Sequence, residues 1–209
     1  VLALAAHQTR TIRIGTGVAV AGLRLAPVTA NAIATINRIA PGRTFLGIGT
    51  GNTAMRAMGQ APMGVKAFGE YIRVVQGLLK GDEVEYTLNG VTHPIQFQNQ
   101  EFKYIDVENH IPVHVGGFGP RAQSLAGEIG DGLITGIPRG GTIPQAIKNV
   151  QKGAKKSGRS LNSFETFGYA RLRYILSHHN CLINLNSSKD VIRFSSQQFL
   201  ETICSAIGL

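Results

Sequence analysis

Three glycine clusters beside hydroxyl, amide or guanidinium side chains carry the chemistry open to this chain. They are Gly15-Thr16-Gly17-Val18, Gly49-Thr50-Gly51-Asn52 and Gly116-Gly117-Phe118-Gly119-Pro120-Arg121. Glycine at a strand end bares main-chain N–H groups and lets a ligand approach where a side chain would block it. In the third cluster Gly119 falls at a helix cap and Pro120 at the first helical position, where its missing N–H costs nothing. The N–H groups of Arg121 and Ala122 then face whatever lies above the sheet. A helix start carries partial positive charge and binds phosphate, and Arg121 adds a charge-assisted contact. The second cluster is no dinucleotide fingerprint, because position 52 is Asn where the spacing needs Gly. It is no Walker loop either, since no Gly-Lys-Ser/Thr follows. A kinked strand or a tight turn explains the first two clusters equally well. Three glycine-rich strand ends in succession, however, would converge on one pocket.

Conventional acid–base machinery is scarce. His7 and His114 stand alone in sequence and read as satisfied structural histidines, while His93 and His110 lie in or beside a hairpin segment. Asp131 reads as a turn residue. The chain has no G-x-S-x-G, no H-E-x-x-H and no paired carboxylate. A site rich in backbone donors and poor in proton-transfer groups points to chemistry carried by a cofactor.

The elements that must position these clusters alternate. Residues 1–8 read as the end of a helix, and the chain, starting mid-pattern without Met, is expected to be a fragment of something longer. Residues 11–20 read as a strand, a helix runs from Pro27 to the stop at "APGR", and 44–49 is a strand apolar throughout, as when both faces are buried. Phe68, Tyr71, Ile72, Val75 and Leu79 recur at helical spacing within 66–80. Asn89-Gly90 between alternating segments predicts a hairpin, extended by "FKYIDV" into a small antiparallel excursion. The rhythm then returns with strands at 111–117, 132–135 and 164–172 and helices at 120–129 and 142–157. Strands alternating with helices predict a parallel sheet of right-handed βαβ units. Five such strands are too few for an eight-stranded barrel, and periodicity does not separate a partial barrel from an open doubly wound sheet.

The net charge is +9, and no acidic residue precedes Glu70. That field favours anionic ligands. Nucleic acid is disfavoured, since Trp is absent, the early basic residues are dispersed and no nucleic-acid motif occurs. Lys148, Lys152, Lys155, Lys156 and Arg159 share one helical face, read as solvated in preference to a docking patch. No apolar run reaches the roughly 18 residues of a membrane span. Two cysteines, Cys181 and Cys204, have no metal-ligand spacing, and the expected compartment is a reduced cytoplasm. Of 26 glycines only Gly208 lies beyond about residue 175. Residues 1–175 are therefore expected to form the domain, with an insertion at about 83–107, and 176–209 an atypical tail foreign to it.

The stretches "TIRIGTGVAV", "PGRTFLGIGTGN", "EYIRVVQGLLKGDEVEY" and "IPVHVGGFGPRAQSLAGEIGDGLITG" resemble, in this order over residues 1–173, the bacterial-luciferase-like superfamily of FMN-dependent monooxygenases and F420-dependent reductases. The resemblance implies an α/β fold, a partial (β/α)8 TIM barrel lacking strands one, two and eight, with FMN or coenzyme F420 at the C-terminal strand ends. It implies a cis peptide at Gly17-Val18 behind the flavin ring, ring contacts from Gly49, Thr50, Gly51 and Asn52, and a phosphate site at Gly117, Phe118, Gly119, Pro120 and Arg121. Thr135, at the end of the sixth strand, completes the implied cofactor contacts. Where sugar-phosphate dehydrogenases of this group place a catalytic glutamate after "GTG", this chain has Asn52, which transfers no proton. No catalytic residue carries over. The implied activity is hydride or oxygen transfer to a small-molecule organic substrate, with a flavin reductase or an F420 donor system as electron source and no nucleic-acid or membrane partner. Two alternatives stay open: a truncated, inactive barrel remnant persisting as a homo-oligomer, and an unrelated α/β phosphate-binding module.

Overall fold

The structure is a computed structural model that describes residues 1–98, 100–136, 142–170 and 181–184. Helix α1 (Leu2–Gln8) leads into two short strands, β1 (Ile14–Gly15) and β2 (Ala19–Val20), which occupy one strand line. The peptide bond between Gly17 and Val18 is cis and lies in the gap between them. Helix α2 (Ala26–Ile39), strand β3 (Thr44–Gly49) and the short helix α3 (Asn52–Ala57) follow. Helix α4 (Val65–Leu78) precedes the hairpin β4 (Val84–Leu88) and β5 (Val91–Ile95). The chain continues as β6 (Val113–Gly116), α5 (Pro120–Ile129), β7 (Gly132–Gly136), α6 (Ile143–Ser157), β8 (Glu165–Ala170) and β9 (Cys181–Asn184).

Strand β3 pairs in parallel with β1 and β2 on one side and β6 on the other, and β7 and β8 extend the parallel sheet. Strand β9 runs antiparallel to β8, unlike any strand of an all-parallel barrel. Apart from β9, the expected segment 176–209, with Val191, Phe194 and Phe199, lies outside the described residues.

Side-chain parity separates a barrel from a doubly wound sheet. Leu46, Ile48, Val113, Val115 and Leu133 pack with Ile33 of α2, Phe68 and Ile72 of α4, Leu125 of α5 and Val150 of α6 in one core. The alternate residues Phe45, His114 and Phe167 stack on the opposite face. These helices thus cover one face of the sheet, and the sheet is a half-barrel. Arg43 fixes α1 to this frame: its guanidinium donates to the carbonyls of Ala6, Thr9 and Ile12 at 2.9–3.1 Å.

The hairpin forms as expected, with Asn89 (φ 53°) and Gly90 (φ 81°) both left-handed, as a two-residue type I′ connection requires. "FKYIDV" adds no strand to it. The backbone there bends around Asp106, whose carboxylate accepts from the N–H groups of Glu108 and Asn109, both at 3.0 Å, and from Asn109 Nδ2 at 2.9 Å. Buried Asn37 ties this loop to α2 by donating to the carbonyl of Asn109 at 3.0 Å.

Candidate functional site

The register sets the strand ends side by side. Val20 of β2 pairs with Gly49 of β3, Gly49 with Gly116 of β6, and Gly116 with Ile134 of β7. Because these strands are parallel, the segments that follow them leave from one rim. Gly51 and Gly119, which follow β3 and β6, therefore leave the sheet at the same end, whereas Gly17 precedes β2 and lies between β1 and β2, level with the middle of β3.

Val18 is wedged against the ends of β3 and β6. A β-carbon at Gly49 would lie 3.1 Å from Val18 Cγ2, and one at Gly116 would lie 3.1 Å from Val18 Cγ1. A side chain at 49 or 116 would thus crowd Val18 by a few tenths of an ångström. Gly51 has φ +80°, and a β-carbon there would lie 2.3 Å from Val20 Cγ1 and 2.8 Å from Met55 Cγ. It caps α3, a helix that the sequence reading leaves as a turn. Thr50 accepts the N–H of Met63 at 3.1 Å, folding the 58–64 segment back over the rim. Asn52 is exposed, and its Oδ1 accepts from Arg56 Nε at 3.0 Å.

Across the rim, Gly117 is buried and donates its N–H to the carbonyl of Ile134 at 3.0 Å. Phe118 is 60% exposed. Its Cε1 lies 3.0 Å from where a β-carbon of Gly136 would sit, so the ring covers the end of β7. Gly119 caps α5 with φ −102°, and a β-carbon there would meet nothing within 4 Å among the described residues. Pro120 begins α5, and no acceptor among the described residues takes the N–H of Arg121 or Ala122. Gln123 anchors this end: it donates to the carbonyl of Phe118 at 3.2 Å and accepts from Asn149 of α6 at 2.7 Å. Thr135 is fully buried with its hydroxyl on the carbonyl of Gly136 at 3.2 Å, one residue inside the rim. The arrangement offers free helix-start donors, an exposed aromatic ring and a valine platform. A phosphorylated aromatic cofactor matches those three features.

A second layer lies deeper, at the entry end of the strands. His114 is fully buried between Phe45 and Phe167, with ring centroids 5.1 and 4.9 Å away. Its Nε2 is 3.1 Å from Glu165 Oε2 without hydrogen-bond alignment, so neither ring nitrogen has a hydrogen-bond partner among the described residues. This corrects the expectation of a satisfied histidine. Glu165 Oε1 accepts instead from Arg13, at 2.6 Å. Burial pushes the His114 pKa down to about 4, against the opposing pull of Glu165. The imidazole is therefore neutral at pH 7 in the folded chain. The unfolded chain binds the proton first, so stability is full above pH 6.5 and falls as pH drops toward 4. The whole window corresponds to about 3 kcal/mol. Urea denaturation at pH 7 and pH 5 should show a loss of about 2 kcal/mol, and His114→Phe should remove most of that difference. An equal loss in both proteins would contradict the assignment.

Asp131, read as a turn residue, accepts the N–H of Val113 at 2.9 Å and pins the start of β6 to β7. Among the described residues no helix is long and apolar enough to cross a membrane, and no cluster of His, Cys, Asp or Glu could hold a metal ion.

The sequence profile of the luciferase-like monooxygenase family matches residues 1–178. The 5,10-methylenetetrahydromethanopterin reductase of Methanolobus tindarius is 34% identical over 173 residues, 81% of this chain and 51% of the relative. The F420-dependent glucose-6-phosphate dehydrogenase of Beutenbergia cavernae is 31% identical over 193 residues, 87% of this chain and 55% of the relative. The solved structure of the coenzyme F420 dependent tetrahydromethanopterin reductase from Methanopyrus kandleri superposes with a TM-score of 0.66 at 28% identity, over 81% of this chain and 52% of that one. The chain spans about half the length of the curated relatives it matches.

Proposed function

We propose that this chain, which belongs to the luciferase-like monooxygenase family, is the cofactor-holding part of an F420-dependent oxidoreductase that moves hydride between the deazaflavin and a small organic substrate. One observation carries the reading: β2, β3 and β6 end at one rim, where the start of α5 presents N–H groups that no described residue accepts. Relatives whose names specify F420 support the deazaflavin over FMN. The bound cofactor supplies the hydride chemistry. The N–H groups of Arg121 and Ala122, with the Arg121 guanidinium, hold its phosphate. Val18 backs the ring, and Phe118 shields the pocket from water. Asn52, oriented by Arg56, keeps its amide N–H groups available as donors because its Oδ1 is already engaged.

A second reading is favoured by the rim's composition. None of the proposed contact positions carries a carboxylate or an imidazole. In that reading the chain binds the cofactor and leaves proton transfer to residues it does not supply.

Fluorescence titration of the chain with F420 and, separately, with FMN tests the proposal. Saturable binding of F420 in preference to FMN is expected. Reduced F420 that binds but transfers no hydride would select the second reading. Binding of FMN alone would reassign the cofactor, and binding of neither would overturn the proposal.

A further inference from the structure

Gln123, in the first turn of α5, is buried to 3% exposure. A primary amide withdrawn from water needs partners for both its donors and its acceptor, and helical side chains lean back toward the helix start. Its Nε2 accordingly reaches the carbonyl of Phe118 at 3.2 Å, and its Oε1 accepts from Asn149 Nδ2 of α6 at 2.7 Å. Asn149 Oδ1 faces Gln145 Nε2 at 3.4 Å. The backbone N–H of Gln145 goes to the hydroxyl of Thr142, the cap of α6, at 3.3 Å. The side-chain amides therefore all donate in one direction, from α6 toward the Phe118 carbonyl. A reversed Gln123 amide would set Oε1 against the Phe118 carbonyl oxygen and its N–H groups against those of Asn149.

We infer that Gln123 is a positioning residue for the phosphate site, oriented from the neighbouring helix by Asn149. This rests on the reading of the start of α5 as that site. Two carbonyls stand immediately before the helix, and Gln123 engages both. Its backbone N–H donates to Gly119 at 3.0 Å, and its side chain donates to Phe118. Released from this hold, the Phe118 carbonyl would need another donor. The N–H of Arg121, three residues on, is the one that a β-turn would bring to it. The helix start would then cap itself with one of the donors that the phosphate needs. Gln123 keeps that donor free before the ligand arrives, so the site binds without first breaking a bond.

The test is calorimetric affinity for F420 and for its dephosphorylated form in the unmodified chain, in Gln123→Met, in Asn149→Asp and in the double variant. Methionine keeps the bulk of glutamine and removes both amide bonds. The phosphate-dependent gain should fall roughly three- to tenfold, the range for one lost hydrogen bond, with affinity for the dephosphorylated form little changed. Aspartate at position 149 only accepts, so it turns the Gln123 amide over and should lower the gain by a similar factor. Its effect comes from α6, where the Asn149 side chain bonds with Gln123 and Gln145 and with no residue of the turn before α5. The double variant should lose no more than Gln123→Met, since it has no amide left to reverse. An unchanged gain in both single variants would overturn the assignment while leaving the phosphate site standing. Equal losses for the two ligands would show a merely structural role and overturn it as well. A further loss in the double variant would show that the new carboxylate acts by charge, and would overturn the role of Asn149. No phosphate-dependent gain in the unmodified chain would overturn the phosphate site and this inference with it.

Discussion

Replacing Gly153 by Ala is expected to destabilise the protein by about 2 kcal/mol or more, although alanine is the better helix former by about 1 kcal/mol. The reason is backbone contact between α5 and α6. A β-carbon at Gly153 would lie 1.8 Å from the carbonyl oxygen of Ser124, and one at Gly127 would lie 1.9 Å from that of Val150. The contacts are reciprocal, and both obstacles are main chain. No rotamer change relieves them, so the helices must separate. Overpacking of this kind costs about 1–3 kcal/mol, occasionally more, which exceeds the propensity gain. For a chain of this size the melting temperature should fall by roughly 5 °C or more, and Gly127→Ala should behave alike. Gly77→Ala is the contrast: its nearest obstacle, at 2.3 Å, is a Val84 side-chain methyl and not main chain, so relief needs a shift of Val84 and not a separation of helix backbones. Unchanged melting of Gly153→Ala would show that the two helices are not in backbone contact. The same packing holds the start of α5 over the rim, so cofactor affinity should fall with stability.

The second large effect is expected from Gly119→Asp, and it should separate binding from folding. The cap residue has φ −102° and ψ 158°, a conformation open to any residue, and no described residue lies within 4 Å of its β-carbon position. Aspartate is a favoured N-cap, gaining a few tenths of a kcal/mol over glycine, so melting should hold or rise slightly. Its carboxylate would take up the N–H groups that the phosphate needs and place negative charge against it. Like-charge juxtaposition costs several kcal/mol, so affinity for a phosphorylated cofactor should fall by about a hundredfold or more. A dephosphorylated cofactor should be little affected.

Much of this architecture was legible in the sequence because its signals are local. The apolar run of β3 is bounded by "APGR" and a glycine turn, and Pro120 with Gly119 marks the start of α5. The stripe from Phe68 to Leu79 lies along α4, whose buried residues include Phe68, Ile72 and Val75. The features that escaped depend on distant partners. Helix α3 has six residues, no capping side chain and no apolar period to announce it. The strand expected over residues 11–20 is split around Gly17-Val18, where the backbone turns to seat Val18 against Gly49 and Gly116. The glycines at 127 and 153 look like weak points in helices until the facing carbonyls are known. His114 gives no sign in sequence that Phe45 and Phe167, from two other strands, would enclose it. The start of α5 and the ends of β3 and β6 were readable because glycine, proline and the strand order mark them locally.

The central claim is that bare main-chain amides at the start of α5 hold the phosphate of a flavin-type cofactor. The most direct measurement is calorimetric affinity for matched pairs, F420 against its dephosphorylated form and FMN against riboflavin, in the unmodified chain and in Gly119→Asp. The account predicts a large phosphate-dependent gain for the preferred pair in the unmodified chain and its loss in the variant. A phosphate-dependent gain that survives Gly119→Asp, or no gain in either protein, would contradict it.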